Sequence, residues 1–285
     1  MDAAVFAAVL AAALMHAGWN AVVKVGLDRF SSVLLLALVQ SGLALALLPF
    51  FPLPARASWP WLAVSAMLHT GYKLFLIRAY QHGDLGQVYP LARGTAPLIV
   101  ALAGAALLGE TLTPARMLAV AAIGSGVVLM STEKASGGPE RPTVAPRKAP
   151  LAWALGTAAF TAAYTLVDGV GARLSGTASG FTLWMFVGDG LGMLACALAA
   201  RGPRALPRLL PAWRSGLAAG ALSLGSYWIA IWAFTRAPVA LVAALRETSV
   251  LFAMLIAVFV LGERAGARRW AAAALVACGV VLIRW

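Results

Sequence analysis

The hydrophobic positions of this chain fall into long, nearly uninterrupted runs that recur from one end to the other. Most runs reach about 20 residues, the length that an α-helix needs to cross a bilayer. Proline-bearing segments separate several of them, such as PLPARASWP at 52–60 and RGPRALPRLLPAWR at 201–214. The pattern predicts an all-α integral membrane protein with ten transmembrane helices. The predicted spans cover residues 3–23, 31–51, 59–80, 86–108, 114–131, 151–171, 179–200, 212–234, 238–261 and 267–284.

One longer polar stretch divides the chain into two similar halves. STEKASGGPERPTVAPRKAP at 131–150 predicts a linker at 132–150 between halves at 1–131 and 151–285. Residues 93–116 align with residues 246–269 at a constant offset of 153. Because each half has an odd number of spans, the second enters the membrane from the opposite face. The sequence therefore predicts two inverted five-helix repeats.

Composition and charge agree with this assignment. The chain is 62% hydrophobic and 11% charged, whereas soluble domains carry roughly 25% charged residues. The net charge of +12 is scattered over short loops and does not form one basic face, so no nucleic-acid partner is expected. Most Lys and Arg residues flank spans on the side of the first loop, which predicts that this side is cytoplasmic and that both termini face outward. Cys196 and Cys278 lie in apolar runs and indicate neither a disulfide nor a metal site.

Polar residues inside the predicted spans are the candidates for function. A charge at bilayer depth costs about 2.5–3.5 kcal/mol on insertion scales, so such residues should line a hydrated cavity or a helix contact. Several share one helix face, because His69, Tyr72 and Lys73 are spaced i, i+3, i+4 and Tyr164 and Asp168 are spaced i, i+4. The candidate substrate-binding or cavity residues are His16, Asn20, His69, Tyr72, Lys73, Arg93, Tyr164, Asp168, Asp189, Tyr227, Arg246 and Glu247.

Arg93 and Arg246 occupy equivalent positions in the two halves. The functional interpretation is that both approach the midplane and hold an anionic group, such as a carboxylate or a phosphonate. The alternative is that each snorkels or joins two helices. Glu247 points about 100° away from Arg246 around a helix, so the two need not pair. We expect Glu247 to meet Lys73 or another cation across the bundle.

The remaining candidates have two interpretations each. Asp168 and Asp189 either carry a proton or pair with Arg93 or Lys73. His16 and His69 either share the proton role or are simply hydrogen-bonded. The aromatic residues either form the wall of a metabolite cavity or pack the core; they are Trp19, Tyr72, Tyr164 and Tyr227.

Two LGE turns, at 108–110 and 261–263, are assigned a structural role. Glu110 precedes Thr113 and Pro114, which predict a helix N-cap and a first helical residue. The negative charge of Glu110 is expected to favour the start of the fifth span.

These motifs resemble those of a known family. HAGWNAVVK at 16–24, YTLVDGVGAR at 164–173, LRETSVLFA at 245–253 and the LGE turns resemble the EamA-type branch of the drug/metabolite transporter superfamily. The resemblance implies a ten-helix carrier with a central cavity in the bacterial inner membrane, which moves metabolites such as amino acids, often outward. The YTLVDGVGAR form is similar to a subgroup associated with phosphonate use. The resemblance also implies cytoplasmic termini, opposite to the orientation that the charges predict.

The buried charges and the motifs are compatible with three candidate functions. The first is a secondary carrier, and not an enzyme, that moves a small polar or amphiphilic metabolite by alternating access. The second is a cationic multidrug exporter, which should present an unpaired carboxylate; the balanced buried charges fit an anionic or zwitterionic solute better. The third is a lipid-modifying membrane enzyme, but the chain has no DDxxD or HExxH motif. No cofactor or metal is expected, while proton coupling and a homodimer stay open.

Overall fold

The computed structural model describes residues 1–22, 27–82, 85–130, 148–260, 262 and 265–284. Within these ranges it contains α-helices and short 3-10 segments and no strand, which confirms the all-α prediction. Most of the predicted linker, residues 132–147, lies outside the described residues. The helices are α1 (Ala3–Val22), α2 (Arg29–Leu47), α3 (Trp59–His82), α4 (Leu85–Leu108), α5 (Pro114–Met130), α6 (Lys148–Leu174), α7 (Ala178–Arg201), α8 (Trp213–Phe234), α9 (Val239–Arg246), α10 (Ser249–Phe259) and α11 (Ala267–Arg284).

Several of these helices have the length and composition of membrane spans. In the described part of the chain, five segments are long and apolar enough to cross a bilayer. They cover Ala3–Asn20, Arg29–Phe50, Ala178–Arg201, Pro203–Phe234 and Val239–Phe259, and two shorter apolar helices cover Arg93–Leu108 and Pro114–Met130. The chain is therefore a multi-pass membrane protein.

The ninth hydrophobic run is not the continuous helix that the sequence predicts for 238–261. The α-helix stops after Arg246 and resumes at Ser249. Thr248 donates its hydroxyl to the Leu245 carbonyl at 2.7 Å, and its own amide also bonds Leu245 at 3.2 Å. These contacts tighten one turn, because a threonine hydroxyl competes for the carbonyls of the helix. The break places Arg246 and Glu247 at a helix end inside the bundle.

The two halves meet symmetrically where α5 packs against α11. A Cβ on Gly126 of α5 would lie 2.6 Å from Val276 Cγ2, and a Cβ on Gly279 of α11 would lie 2.6 Å from Ile123 Cγ1. Gly279 and Val276 are the residues 153 positions after Gly126 and Ile123. Each glycine thus receives the equivalent side chain of the other half, and the helices run antiparallel. The packing is the same when the two sequence copies are exchanged.

The start of α2 is joined to the end of α7 at the bundle surface. Asp28 caps α2 by accepting hydrogen bonds from the amides of Phe30 at 3.1 Å and Ser31 at 3.2 Å. Arg201 donates to both carboxylate oxygens of Asp28, at 3.0 and 3.1 Å. The Arg201 guanidinium, together with Ser31, holds the pKa of the Asp28 carboxyl well below its usual range. Asp28 lies outside the spans and Arg201 is the last residue of its span, so this partly exposed pair lies at the bundle surface.

Replacing Gly126 with alanine should destabilise the protein, because the new methyl group would meet Val276 and the backbone oxygen of Ala272. Overpacking of this kind costs about 1–3 kcal/mol. Thermal unfolding of the purified variant in detergent measures the loss. Gly42→Ala in α2 is the control, since nothing lies within 4 Å of a Cβ there. Equal stability of the two variants would contradict the close approach of α5 and α11.

Candidate functional site

A completely buried carboxylate lies where α3, α6 and α8 meet. Asp168 of α6 accepts a hydrogen bond from the Ser65 hydroxyl on one oxygen and from the Tyr227 hydroxyl on the other. His69 Nε2 lies 3.0 Å from that second oxygen. These three groups replace the hydration shell that the carboxylate would have in water, which makes its burial tolerable.

Tyr227 connects this carboxylate to a cation. The guanidinium carbon of Arg246 lies 4.7 Å from the centroid of the Tyr227 ring, within the range of a cation–π contact. Among the described residues, no carboxylate lies within ion-pair distance of Arg246. Arg246 and Asp168 are therefore held on opposite parts of one tyrosine, at its ring face and its hydroxyl.

Aromatic rings surround His69. Its ring stacks on Tyr164 with centroids 4.1 Å apart and meets Tyr227 edge-on at 5.1 Å. Tyr72 contacts Tyr164 edge-on at 5.5 Å. Contacts of this kind fix ring orientation, so the imidazole is held against Asp168.

A second buried carboxylate belongs to α7. Asp189 is completely buried and forms an ion pair with Lys73 of α3. The Thr70 hydroxyl lies 3.3 Å from Asp189 Oδ1. This ion pair joins α3 to α7. Neither residue lines the cavity between α4, α6 and α9.

The two equivalent arginines have different partners. Arg93 Nε of α4 lies 2.9 Å from Glu247 Oε2, and Arg93 Nη2 lies 3.4 Å from the Ser249 hydroxyl. The cation that Glu247 meets across the bundle is thus Arg93, not Lys73. Glu247 follows Arg246 directly but pairs with the arginine of the other half.

A narrow cavity lies between α4, α6 and α9. It has room for about one water molecule, so it cannot hold a metabolite in this conformation. Both arginines and Glu247 reach the cavity, together with hydroxyl and apolar groups. The lining residues are Arg93, Ala96, Pro97, Val100, Thr161, Tyr164, Thr165, Ala243, Arg246 and Glu247.

The α1 candidates contact this site less directly. Asn20 donates its side-chain amide to the His16 carbonyl at 2.8 Å, within its own helix. The His16 ring meets Trp19 edge-on at 5.1 Å. His16 lies within the electrostatic reach of Arg93 and Arg246, although neither His16 nor Asn20 lines the cavity.

Sequence reasoning missed three hydroxyl partners of the site. Ser65 lies four residues before His69 and therefore on the same helix face, a spacing that could have identified it. Thr70 lies three residues before Lys73 and Ser249 three residues after Arg246, so a similar spacing could have drawn attention to them. Their partners, 119 and 156 residues away in the chain, could not be inferred from that spacing. Serine and threonine are common in membrane helices, so their presence alone indicates little.

Glu110 has a different role from the predicted one. Thr113 does accept the Arg116 amide at 3.4 Å, and α5 does begin at Pro114. The Glu110 carboxylate, however, bonds Arg173 at the end of α6, at 2.7 Å, and the Val239 amide at the start of α9, at 3.1 Å. Its charge thus lies at the start of α9, where the sequence did not predict it. This contact, called the Glu110 clamp below, joins the ends of the three helices that line the cavity.

The described residues contain no group of three or more His, Cys, Asp and Glu side chains that could hold a metal ion. They provide a cation with no carboxylate partner beside a narrow cavity, and a hydrogen-bonded carboxylate at the hydroxyl of the tyrosine that the cation contacts. Such an arrangement can bind an anion and hold a proton.

Comparison with known proteins agrees with the fold and indicates the family. Residues 3–132 and 148–285 match the model of the EamA-like transporter family, whose members are transporters and not enzymes. No match was found among curated protein sequences. A solved structure described only as "Crystal structure of protein" superposes with a TM-score of 0.70 over 98% of this chain and 94% of the other. At 15% sequence identity, that likeness shows the fold alone.

Replacing Lys73 with methionine should destabilise the protein, because Asp189 would be left as an unpaired buried charge. Breaking one side of a buried pair costs about 3–5 kcal/mol. The double variant Lys73→Met/Asp189→Leu removes both charges and should recover most of the loss in thermal unfolding. Arg201→Met, which breaks the exposed pair with Asp28, should cost no more than about 1 kcal/mol. A double variant as unstable as the single one would show that the ion pair is not what Lys73 contributes.

Proposed function

This chain belongs to the EamA-like transporter family, and on that premise we propose that it is a secondary transporter of a small anionic or zwitterionic metabolite. The proposed solute is an amino acid, an organic anion or a phosphonate-like compound. We place it in the bacterial inner membrane, with export as the net direction.

The position of Arg246 is the main support for this proposal. It lines the cavity, and its partner is the face of Tyr227. An aromatic face compensates a buried guanidinium less well than a carboxylate does. A carboxylate or phosphonate that entered the cavity would supply the missing counter-charge, with the bidentate hydrogen bonds that arginine favours.

The charge of the cavity argues against a cationic solute. Its ionised lining residues are Arg93, Arg246 and Glu247, and Glu247 already pairs with Arg93. The deeper carboxylates of Asp168 and Asp189 are also occupied by their own donors. A multidrug exporter for cations would need a carboxylate that is available to the substrate.

Alternating access is the proposed mechanism, through ten transmembrane helices arranged as two inverted five-helix repeats. The antiparallel and equivalent packing of α5 and α11 supports that arrangement. The cavity is too small for a metabolite in this conformation, so loading requires the surrounding helices to move apart.

Replacing Arg246 with glutamine should abolish anion binding while leaving the fold intact. Losing one partner of a buried charge pair costs about 2–5 kcal/mol, so affinity should fall at least about 30-fold. The measurement is ligand-induced thermal stabilisation of the purified protein over a panel of amino acids, organic acids and phosphonates.

The matched control is Arg201→Gln at the bundle surface, which should retain the response of the unmodified protein. Loss of transport in proteoliposomes should accompany loss of binding in Arg246→Gln. Unchanged binding and transport in that variant would reduce Arg246 to a contact between helices.

The Glu110 clamp is the proposed gate at one end of the cavity. Arg173 donates not only to Glu110 but also to the carbonyls of Phe234 at 2.9 Å and Ala237 at 3.2 Å. These bonds tie the ends of α4 and α6 to the connection that leads into α9. Opening at this end requires them to separate, because α4, α6 and α9 line the cavity.

Glu110→Gln should therefore increase access to the cavity. The experiment introduces a cysteine at Ala243, replaces Cys196 and Cys278 with serine, and measures maleimide labelling in detergent. We expect several-fold faster labelling than with Glu110 intact. Asp28→Asn, which weakens a pair outside the cavity, should leave the rate unchanged. No acceleration in Glu110→Gln would show that the clamp is not a gate.

A further inference from the structure

Among the described residues, two ionised groups of the site have no lysine, arginine or carboxylate of opposite charge in direct contact. Lys73 pairs with Asp189, and Arg93 pairs with Glu247. Arg246 and Asp168 remain, one on the face and one at the hydroxyl of Tyr227. In the empty site their charges cancel across that ring.

Asp168 also differs from the other two carboxylates in its donors. Asp189 and Glu247 each face a lysine or an arginine, whereas Asp168 faces two hydroxyls and His69. Histidine is the side chain that gains and loses a proton most readily near neutral pH. The hydrogen bond between His69 Nε2 and Asp168 Oδ2 can thus hold an additional proton without breaking a permanent ion pair.

We propose that the His69–Asp168 pair is the binding site for a proton that is transported together with the anion held by Arg246. This inference rests on the anion-binding role proposed for Arg246. The proton enters from water on the open side and is held between the two side chains. The unloaded pair carries one negative charge, and the loaded pair carries none.

The need for a neutral site couples the binding of the proton to the binding of the anion. The empty site is neutral because Arg246 offsets Asp168, and the doubly loaded site is neutral because the anion offsets Arg246 and the proton offsets Asp168. A site that holds only the anion or only the proton has a net charge in a medium of low dielectric, which is costly. Anion and proton therefore favour each other's binding, and the linkage is reciprocal.

The other charged and titratable groups around His69 and Asp168 do not provide an alternative charge coupling between the proton and the anion. The permanent pairs keep their own charges compensated, and the tyrosines act as neutral donors or ring contacts. The groups on the surrounding elements are His16 on α1, Tyr72 and Lys73 on α3, Arg93 on α4, Tyr164 on α6, Asp189 on α7, Tyr227 on α8, Arg246 on α9 and Glu247 after it.

A carrier with this linkage moves solute and proton in the same direction. Transport of a monoanion is then electrically neutral. Net export occurs when the outward gradient of the solute exceeds the inward gradient of protons, as for a metabolite that accumulates inside the cell.

The test uses methanesulfonate, which stays a monoanion between pH 5.5 and pH 8.5. Its affinity for the purified full-length protein is measured by thermal stabilisation across that range. For one linked proton, we expect the affinity to fall by up to about tenfold per pH unit on the alkaline side. Asp28→Asn, at the bundle surface, should keep that pH dependence.

Asp168→Asn is the decisive variant, because the amide has the shape of the protonated carboxyl and cannot ionise. We expect it to bind methanesulfonate at pH 8.5 at least as tightly as the unmodified protein does at pH 5.5, with no pH dependence. In proteoliposomes it should exchange methanesulfonate but no longer move it with a proton gradient. His69→Gln, which keeps a hydrogen-bond donor, should flatten the same pH dependence.

The outcomes separate this inference from the one on which it rests. Binding that requires Arg246 but is equally tight at pH 5.5 and pH 8.5 would overturn the proton site alone. Retention of the full pH dependence in Asp168→Asn would also overturn the proton site alone. Binding that is absent at every pH, or that persists in Arg246→Gln, would overturn the anion site and the proton site together.

Discussion

The need to compensate ionised groups inside the bilayer determines how this bundle is assembled. Each charge at depth costs several kcal/mol unless a partner replaces water. The partners come mainly from the other half of the chain. Lys73 meets Asp189, Arg93 meets Glu247, and Ser65 and His69 meet Asp168. The two halves are thus joined through the groups that neither half could bury alone.

The departure from symmetry between the halves creates the site. Glu247 corresponds, at the offset of 153, to Gly94 in the first half. A Cβ on Gly94 would lie 2.7 Å from the Gly124 carbonyl oxygen, so no carboxylate fits there without displacing α5. The second half therefore provides a carboxylate for Arg93, whereas the described residues of the first half provide none for Arg246. Because α4 packs closely on α5 at Gly94, no carboxylate is available there for Arg246, which lines the cavity.

The sequence predicted the all-α membrane fold and, among its alternatives, the pairing of Asp189 with Lys73, but not the other contacts of the site. Apolar runs and prolines define the helices because period and turn chemistry are local properties. The break at Thr248 was not predicted, since it depends on one hydroxyl that competes for the Leu245 carbonyl. The partners of Glu110 and Glu247 could not be predicted either, because they depend on how distant helices cross. The halves at 1–131 and 151–285 and the assignment of site residues stay predictions.

The central claim is that Arg246 is the cation left for an anionic ligand. Diffraction from crystals that contain bromide tests it most directly, because the anomalous signal locates a monoanion without reference to any assumed substrate. The account predicts a bromide peak beside the Arg246 guanidinium in the cavity between α4, α6 and α9, and none beside Arg93. An empty cavity with Arg246 paired to a carboxylate, or turned toward lipid, would contradict it.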